Sequence, residues 1–144
     1  MTSTNPWKSY RQVAAQTAPP GQLVLMLYEA ALRDLEKALL GFRLKDPAEF
    51  NQTINNNIAR AQQILTQLTI SLDMEQGGDL ARHLRGLYSY MNRRLVDSNV
   101  KKKADGIHEV IGHLTIIRDA WAKMLHGETV APGEAEPDVP LQAA

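Results

Sequence analysis

The apolar residues of this chain recur with a period near 3.6 in four successive stretches, separated by only a few residues each. That periodicity places the apolar side chains on one stripe of an α-helix. Over 21–43, Val24, Leu27, Tyr28, Ala31, Leu35, Ala38, Leu39 and Phe42 trace one stripe, with Glu29, Arg33, Glu36 and Lys37 opposite. Phe50, Ile54, Ile58, Ala61, Ile64, Leu65, Leu68 and Leu72 do the same over 48–75. Leu80, Leu84, Leu87, Tyr88, Met91 and Leu95 mark a third helix over 79–100. Ile107, Val110, Leu114, Ile117, Trp121 and Met124 mark a fourth over 104–126, whose apolar coverage Ile111, Ile116 and Leu125 widen. Four amphipathic helices with short connections predict an all-α fold, an antiparallel four-helix bundle over 21–126.

Two segments flank that unit. Asn5-Pro6 is a helix start, and Trp7, Tyr10 and Val13 then share a face until Pro19 and Pro20 end the pattern. The expectation for 1–20 is a short amphipathic helix over 6–16, too short to stand alone and therefore docked on something. From 127 to 144 the chain reads GETVAPGEAEPDVPLQAA. Recurrent prolines, small residues and like charges predict a disordered acidic tail there. In the connection SLDMEQGGDL, Gly77 is expected to close the second helix in the left-handed conformation, and Gly78 or Asp79 to begin the third.

Net charge is zero, but the tail carries Glu128, Glu134, Glu136 and Asp138 with no Lys or Arg, so 1–126 is +4. Basic residues gather over 78–103 as Arg82, Arg85, Arg93, Arg94 and Lys101 to Lys103. Such a stripe is a nucleic-acid footprint or, as expected here, a solvated helix face, with Arg93 and Arg94 pairing with Asp97 or Asp73. The second helix differs. Its polar face, Asn51, Gln52, Asn55, Asn56, Gln62, Gln63, Thr66 and Gln67, is uncharged, and Ile70 sits among those amides. An uncharged polar face costs less to desolvate than a charged one, which makes it a candidate partner surface.

Enzymatic chemistry finds little footing. There is no cysteine, so disulfides and thiolate metal sites are excluded. No glutamate is followed by histidine three residues later, as di-iron bundles require. Glu109 and His113 share a face but are one pair, and no cofactor is expected. The stretch from His83 to Gly86, HLRG, resembles the His-x-x-Lys-Gly of histidine phosphotransfer bundles with one residue missing. That deletion turns the basic residue by about 100° away from its place relative to the imidazole; a phosphotransfer bundle centred on His83 is the alternative reading. No apolar run approaches the roughly 20 residues of a membrane span, and MTSTNPWKSY has no hydrophobic signal-peptide core.

TAPPGQLVLMLYEAALRDLEKA (17–38), SLDMEQGGDLARHLRGLYSYMNRRLVDSN (71–99) and EVIGHLTIIRDAW (109–121) occur in the order and spacing of the flagellar secretion chaperone family (FliS), which the chain resembles over 7–126. Trp7-x-x-Tyr10-x-x-Val13 is similar to that family's N-terminal apolar-x-x-Tyr-x-x-Val pattern. Ala30 stands where the family often has glycine, and Trp7 where it often has a smaller apolar residue. The resemblance implies a non-enzymatic chaperone of the bacterial cytosol. It would bind the C-terminal region of flagellin, prevent premature polymerisation and assist delivery to the export apparatus and its gate, with links to flagellin-dependent regulators. The expected contact residues are Ile58, Gln62, Ile70, Ile116 and Ile117 on the second and last helices, with Trp7, Tyr10 and Val13 as a displaceable lid. Neither nucleic-acid binding nor membrane insertion is implied.

Overall fold

The computed structural model describes residues 20–127. The expected opening helix over 6–16 and the tail beyond Gly127 lie outside these residues. Four helices follow one another: α1 (Pro20–Gly41), α2 (Pro47–Ile70), α3 (Gly78–Lys101) and α4 (Asp105–Leu125). Each packs on its neighbours in sequence and α4 closes on α1, so the helices form a ring with α1–α2 the most intimate pair.

The packing partners show alternating directions. The end of α1 meets the start of α2 where Phe42 and Phe50 lie edge to face, ring centroids 5.6 Å apart. Asn99 near the end of α3 donates to Asn55 near the start of α2. Arg94 reaches Glu109, and Tyr90 lies edge-on to His113; moving back along α3 thus moves forward along α4. The Trp121 indole N–H donates to the Gly21 carbonyl at 2.9 Å, tying the end of α4 to the start of α1. The bundle is antiparallel throughout, as the short connections require.

Local chemistry sets the helix ends. Asp46 is extended (φ −69°, ψ 125°) and its carboxylate accepts the Glu49 N–H at 3.0 Å, while Pro47 follows at the first helical position. That combination satisfies a free helix donor and presets the backbone. The end of α2 departs from expectation by five residues, at Ile70 rather than 75. Ser71 and Asp73 explain it. The Ser71 hydroxyl donates to the Leu68 carbonyl, and Asp73 accepts the N–H groups of Glu75 and Gln76 in a tight turn. These local bonds compete with continued helix.

The glycine pair also works differently from the expectation. Gly78, not Gly77, holds positive φ, at +55°, and it opens α3 rather than closing α2. Gly77 is instead confined sterically: a Cβ there would stand 2.6 Å from the Asp73 carbonyl oxygen and 2.7 Å from the Ala81 Cβ.

The core takes the predicted stripes, with Leu27, Tyr28, Leu35, Ile54, Ile58, Ile64, Leu68, Leu84, Tyr88, Met91, Leu95, Ile107, Leu114 and Ile117 all buried. Met124, read as core, is instead exposed at the end of α4, as is Leu125, and Ile116 is exposed midway along the helix. A ring of four has no central helix, so α4 keeps an outer face despite its broad apolar coverage. Diagonally across the ring, the Tyr28 and Tyr88 hydroxyls meet at 2.5 Å in the core. Burial pushes the Tyr28 phenol up to about 12 and raises that of Tyr88 further, so the pair is neutral at physiological pH.

Candidate functional site

The two flanks of α3 are unlike. Toward α4 it is held by charge. Arg94 donates to Glu109 and Asp97 at 2.8 and 3.1 Å, and Lys101 also reaches Asp97 at 3.0 Å. The Tyr90 hydroxyl donates to the other Glu109 oxygen, and His113 lies 3.4 Å from it. The hydrogen bonds from Tyr90 and Arg94 hold the Glu109 carboxyl down at about 2. The pairing expected for Arg94 with Asp97 is present. Asp73 serves its own turn instead, and Arg93 donates to Ser89 with its guanidinium 6.0 Å from the Tyr90 ring centroid.

Toward α2 the flank is open. Leu65, Thr66, Thr69 and Ile70 of α2 face Arg85, Gly86, Tyr88, Ser89 and Asn92 of α3 across a groove of about 510 Å³. The walls are apolar at the floor and uncharged at the α2 rim, because Thr66 and Thr69 turn their hydroxyls back onto the carbonyls of Gln62 and Leu65. Gly86 leaves open space beside it, with no atom within 4 Å of where a Cβ would stand. Ile70 is 70% exposed at the head of this groove. An apolar floor with a satisfied, uncharged rim on α2 and Arg85 on the α3 wall suits an amphipathic helix, which buries its apolar face against the floor and the α2 rim.

A second cavity, about 180 Å³, sits at the end of the bundle where α1 begins and α4 ends. Val24, Tyr28, Leu72, Leu80 and Trp121 contribute to its lining. Its position beside the first described residues puts it within reach of the segment that precedes Pro20.

The expected contact residues separate accordingly. Ile70 lies on the α2–α3 groove, and Gln62, one helical turn before Thr66, lies half-buried on the same flank. Ile116 is 42% exposed but follows Glu109 and His113 along the face of α4 that meets α3, on the opposite side of α3. Ile58 and Ile117 are core residues, 0% and 1% exposed; their stripes are spent on packing the bundle, which removes them from any contact surface. Trp7, Tyr10 and Val13 lie outside the described residues. The α3 wall, Arg85, Gly86, Ser89 and Asn92, escaped the sequence reading because the basic and small residues there carry no apolar periodicity.

Other readings meet little support. Within the basic stretch, Arg82 pairs with Asp79, Arg94 and Lys101 with acids, and the Lys102 ammonium with the Asn99 carbonyl. His83 is exposed, its Nδ1 2.9 Å from the Asp79 carbonyl oxygen one turn back. No three His, Asp or Glu among the described residues are placed to hold a metal. No described helix is long and apolar enough to cross a membrane.

Residues 3–128 match the family profile described as "Flagellar protein FliS". The chain belongs to the FliS family. Among its FliS relatives, a flagellar secretion chaperone of Bacillus subtilis (strain 168) is 34% identical over 128 residues, spanning 89% of this chain and 92% of its own. The Salmonella typhimurium chaperone of that name is 36% identical over 121 residues, covering 81% of this chain and 87% of its own. The one from Campylobacter jejuni is 32% identical over 125 residues, 87% and 94% of the two chains. These FliS relatives are named as chaperones rather than as enzymes.

Proposed function

We propose that this chain is a cytosolic chaperone that binds the C-terminal region of flagellin, keeps it from polymerising and assists its delivery to the flagellar export apparatus. The observation that carries the reading is the α2–α3 groove, apolar at its floor, with Ile70 exposed at its head. A client that is disordered when free loses entropy on ordering, so it needs extended apolar contact. One client helix laid along Gln62, Thr66 and Ile70 meets that need. A client that wraps further crosses α3 to reach Ile116 on its other flank. The export gate and flagellin-linked regulators are the further partners that this role implies.

In the empty chaperone, Trp7, Tyr10 and Val13 serve as a lid over apolar surface. The cavity bounded by Leu72, Leu80 and Trp121, beside the start of α1, supports that role. Covering it limits the exposed patch that otherwise invites association. Tyr10→Ala that changes neither flagellin affinity nor the free protein's solubility refutes the lid.

The deciding experiment is calorimetric titration with a flagellin C-terminal fragment, for the natural chain and for Ile70→Asp. Burying an Ile side chain contributes about 1.5–3 kcal/mol, so the variant binds about tenfold weaker or worse. Absence of binding by the natural chain at micromolar concentration refutes the function; equal binding by Ile70→Asp refutes the groove.

A further inference from the structure

The outward ridge of α3 carries arginines that no carboxylate of another helix meets among the described residues. Arg82, Arg85, Ser89 and Arg93 follow one another at helical spacing, about 16 Å from first to last. Asp79 holds Arg82. Arg85 and Arg93 have no carboxylate partner among the described residues, and Arg85 stands on the wall of the α2–α3 groove opposite Ile70. All four acids of the chain's last 17 residues, Glu128, Glu134, Glu136 and Asp138, lie in a segment without Lys or Arg.

Topology brings the two together. The contacts of Arg94 with Glu109 and of Tyr90 with His113 set α4 antiparallel to α3, so Leu125 at the end of α4 lies beside the start of α3. Arg85 is two turns from that start. Seventeen residues span up to about 55 Å extended, against about 36 Å for the whole of α3. Acids at 134, 136 and 138 fall on one side of an extended strand, and Val139 and Leu141 follow them. Arg93 lies about 22 Å along α3 from Gly78, within the extended reach of 127–134, so acids that return from Arg93 toward Arg85 bring Val139 and Leu141 to exposed Ile70.

We propose that the acidic segment 128–144 docks back on its own chain along the α3 ridge, with Arg85 and Arg93 as the anchors and the head of the α2–α3 groove receiving Val139 and Leu141. The contact is electrostatic and exposed, hence weakened by salt. It does not depend on what the groove's client is.

The chain has no cysteine, so Ala143→Cys gives one thiol for a spin label in the full-length protein. The expected result, in isotope-labelled protein at low salt, is loss of amide intensity for residues 82–93 and around Ile70. Intensity returns at about 0.5 M salt, where the screening length is only a few Å. It also returns in Glu134→Gln/Glu136→Gln/Asp138→Asn, which leaves the bundle untouched, and in Arg85→Glu/Arg93→Glu. Four outcomes overturn the proposal: no intensity loss, loss confined to residues 101–108 at the far end, loss that survives tail neutralisation, or loss that arises only between chains in a mixture of labelled and isotope-labelled protein.

Discussion

Substituting Tyr28 and Tyr88 by phenylalanine, singly and together, tests how the core is braced. Their hydroxyls are 2.5 Å apart, and the residues are 1% and 2% exposed. Either single substitution keeps the ring and removes one oxygen, leaving the other hydroxyl buried without its partner. An orphaned buried hydroxyl costs about 1–3 kcal/mol, whereas removing both partners together is close to neutral. We expect Tyr28→Phe and Tyr88→Phe each to lower stability by about 1–3 kcal/mol, at roughly 3–5 °C in Tm per kcal/mol for a domain of this size. The double variant should cost less than the sum by about 1 kcal/mol or more, a coupling well above the scatter of additive sites. Urea unfolding followed by circular dichroism supplies all four corners of the cycle. Additivity within about 0.3 kcal/mol refutes the reasoning. It would mean that each hydroxyl finds another partner, such as water in the adjoining cavity of about 180 Å³.

Four further substitutions probe other parts of the molecule. A Cβ at Gly106 would lie 2.5 Å from both the Arg94 carbonyl and the Ser98 hydroxyl, so Gly106→Ala should destabilise by about 1–3 kcal/mol in thermal melts. Gly112→Ala, in open space, should stabilise by up to about 1 kcal/mol. Asp46→Ala removes the side-chain acceptor for the Glu49 N–H and should cost about 1 kcal/mol, within a range of roughly 0.5–2, in chemical denaturation. Tyr90 and Arg94 hold the Glu109 carboxyl down at about 2, so the stability it contributes is complete above the ordinary carboxylate range and is lost as pH falls toward that value. Melting from pH 7 to 2 should therefore show a shallower acid decline for Glu109→Gln than for the natural chain.

The helices were legible because packing in a bundle imposes a 3.6 period, and Tyr28, Leu35, Ile54, Leu95 and Leu114 obey it. The same period placed Ile58 and Ile117 on those stripes, where they are buried, so the separate expectation that they touch a client finds no exposed surface at either. A stripe identifies the apolar face but not what covers it, and here the other helices do. Ile70 was legible for the opposite reason, an apolar residue out of phase among amides. The end of α2 was missed because Ser71 and Asp73 turn the backbone through side-chain bonds that leave the apolar spacing of Leu72 intact. The left-handed residue was assigned to Gly77 rather than Gly78, since either glycine tolerates positive φ. Only the crowding of Gly77 by Asp73 and Ala81 separates them. The α3 wall of the groove requires knowing which helix stands beside which, and a single helix's pattern does not contain that.

Arg94, Glu109, Tyr90 and His113 rivet α3 to α4 through charge and hydrogen bonds, while toward α2 the Asn99 amide donates to Asn55 at the far end. The bundle consequently has a seam. Widening the ring between α2 and α3 near Ile70 and Arg85 separates apolar surfaces but breaks no ion pair, and the amide pair at the other end acts as its hinge. α2 stays packed on α1, its most intimate neighbour, while α3 riveted to α4 and α4 tied to α1 through Trp121 keep their register.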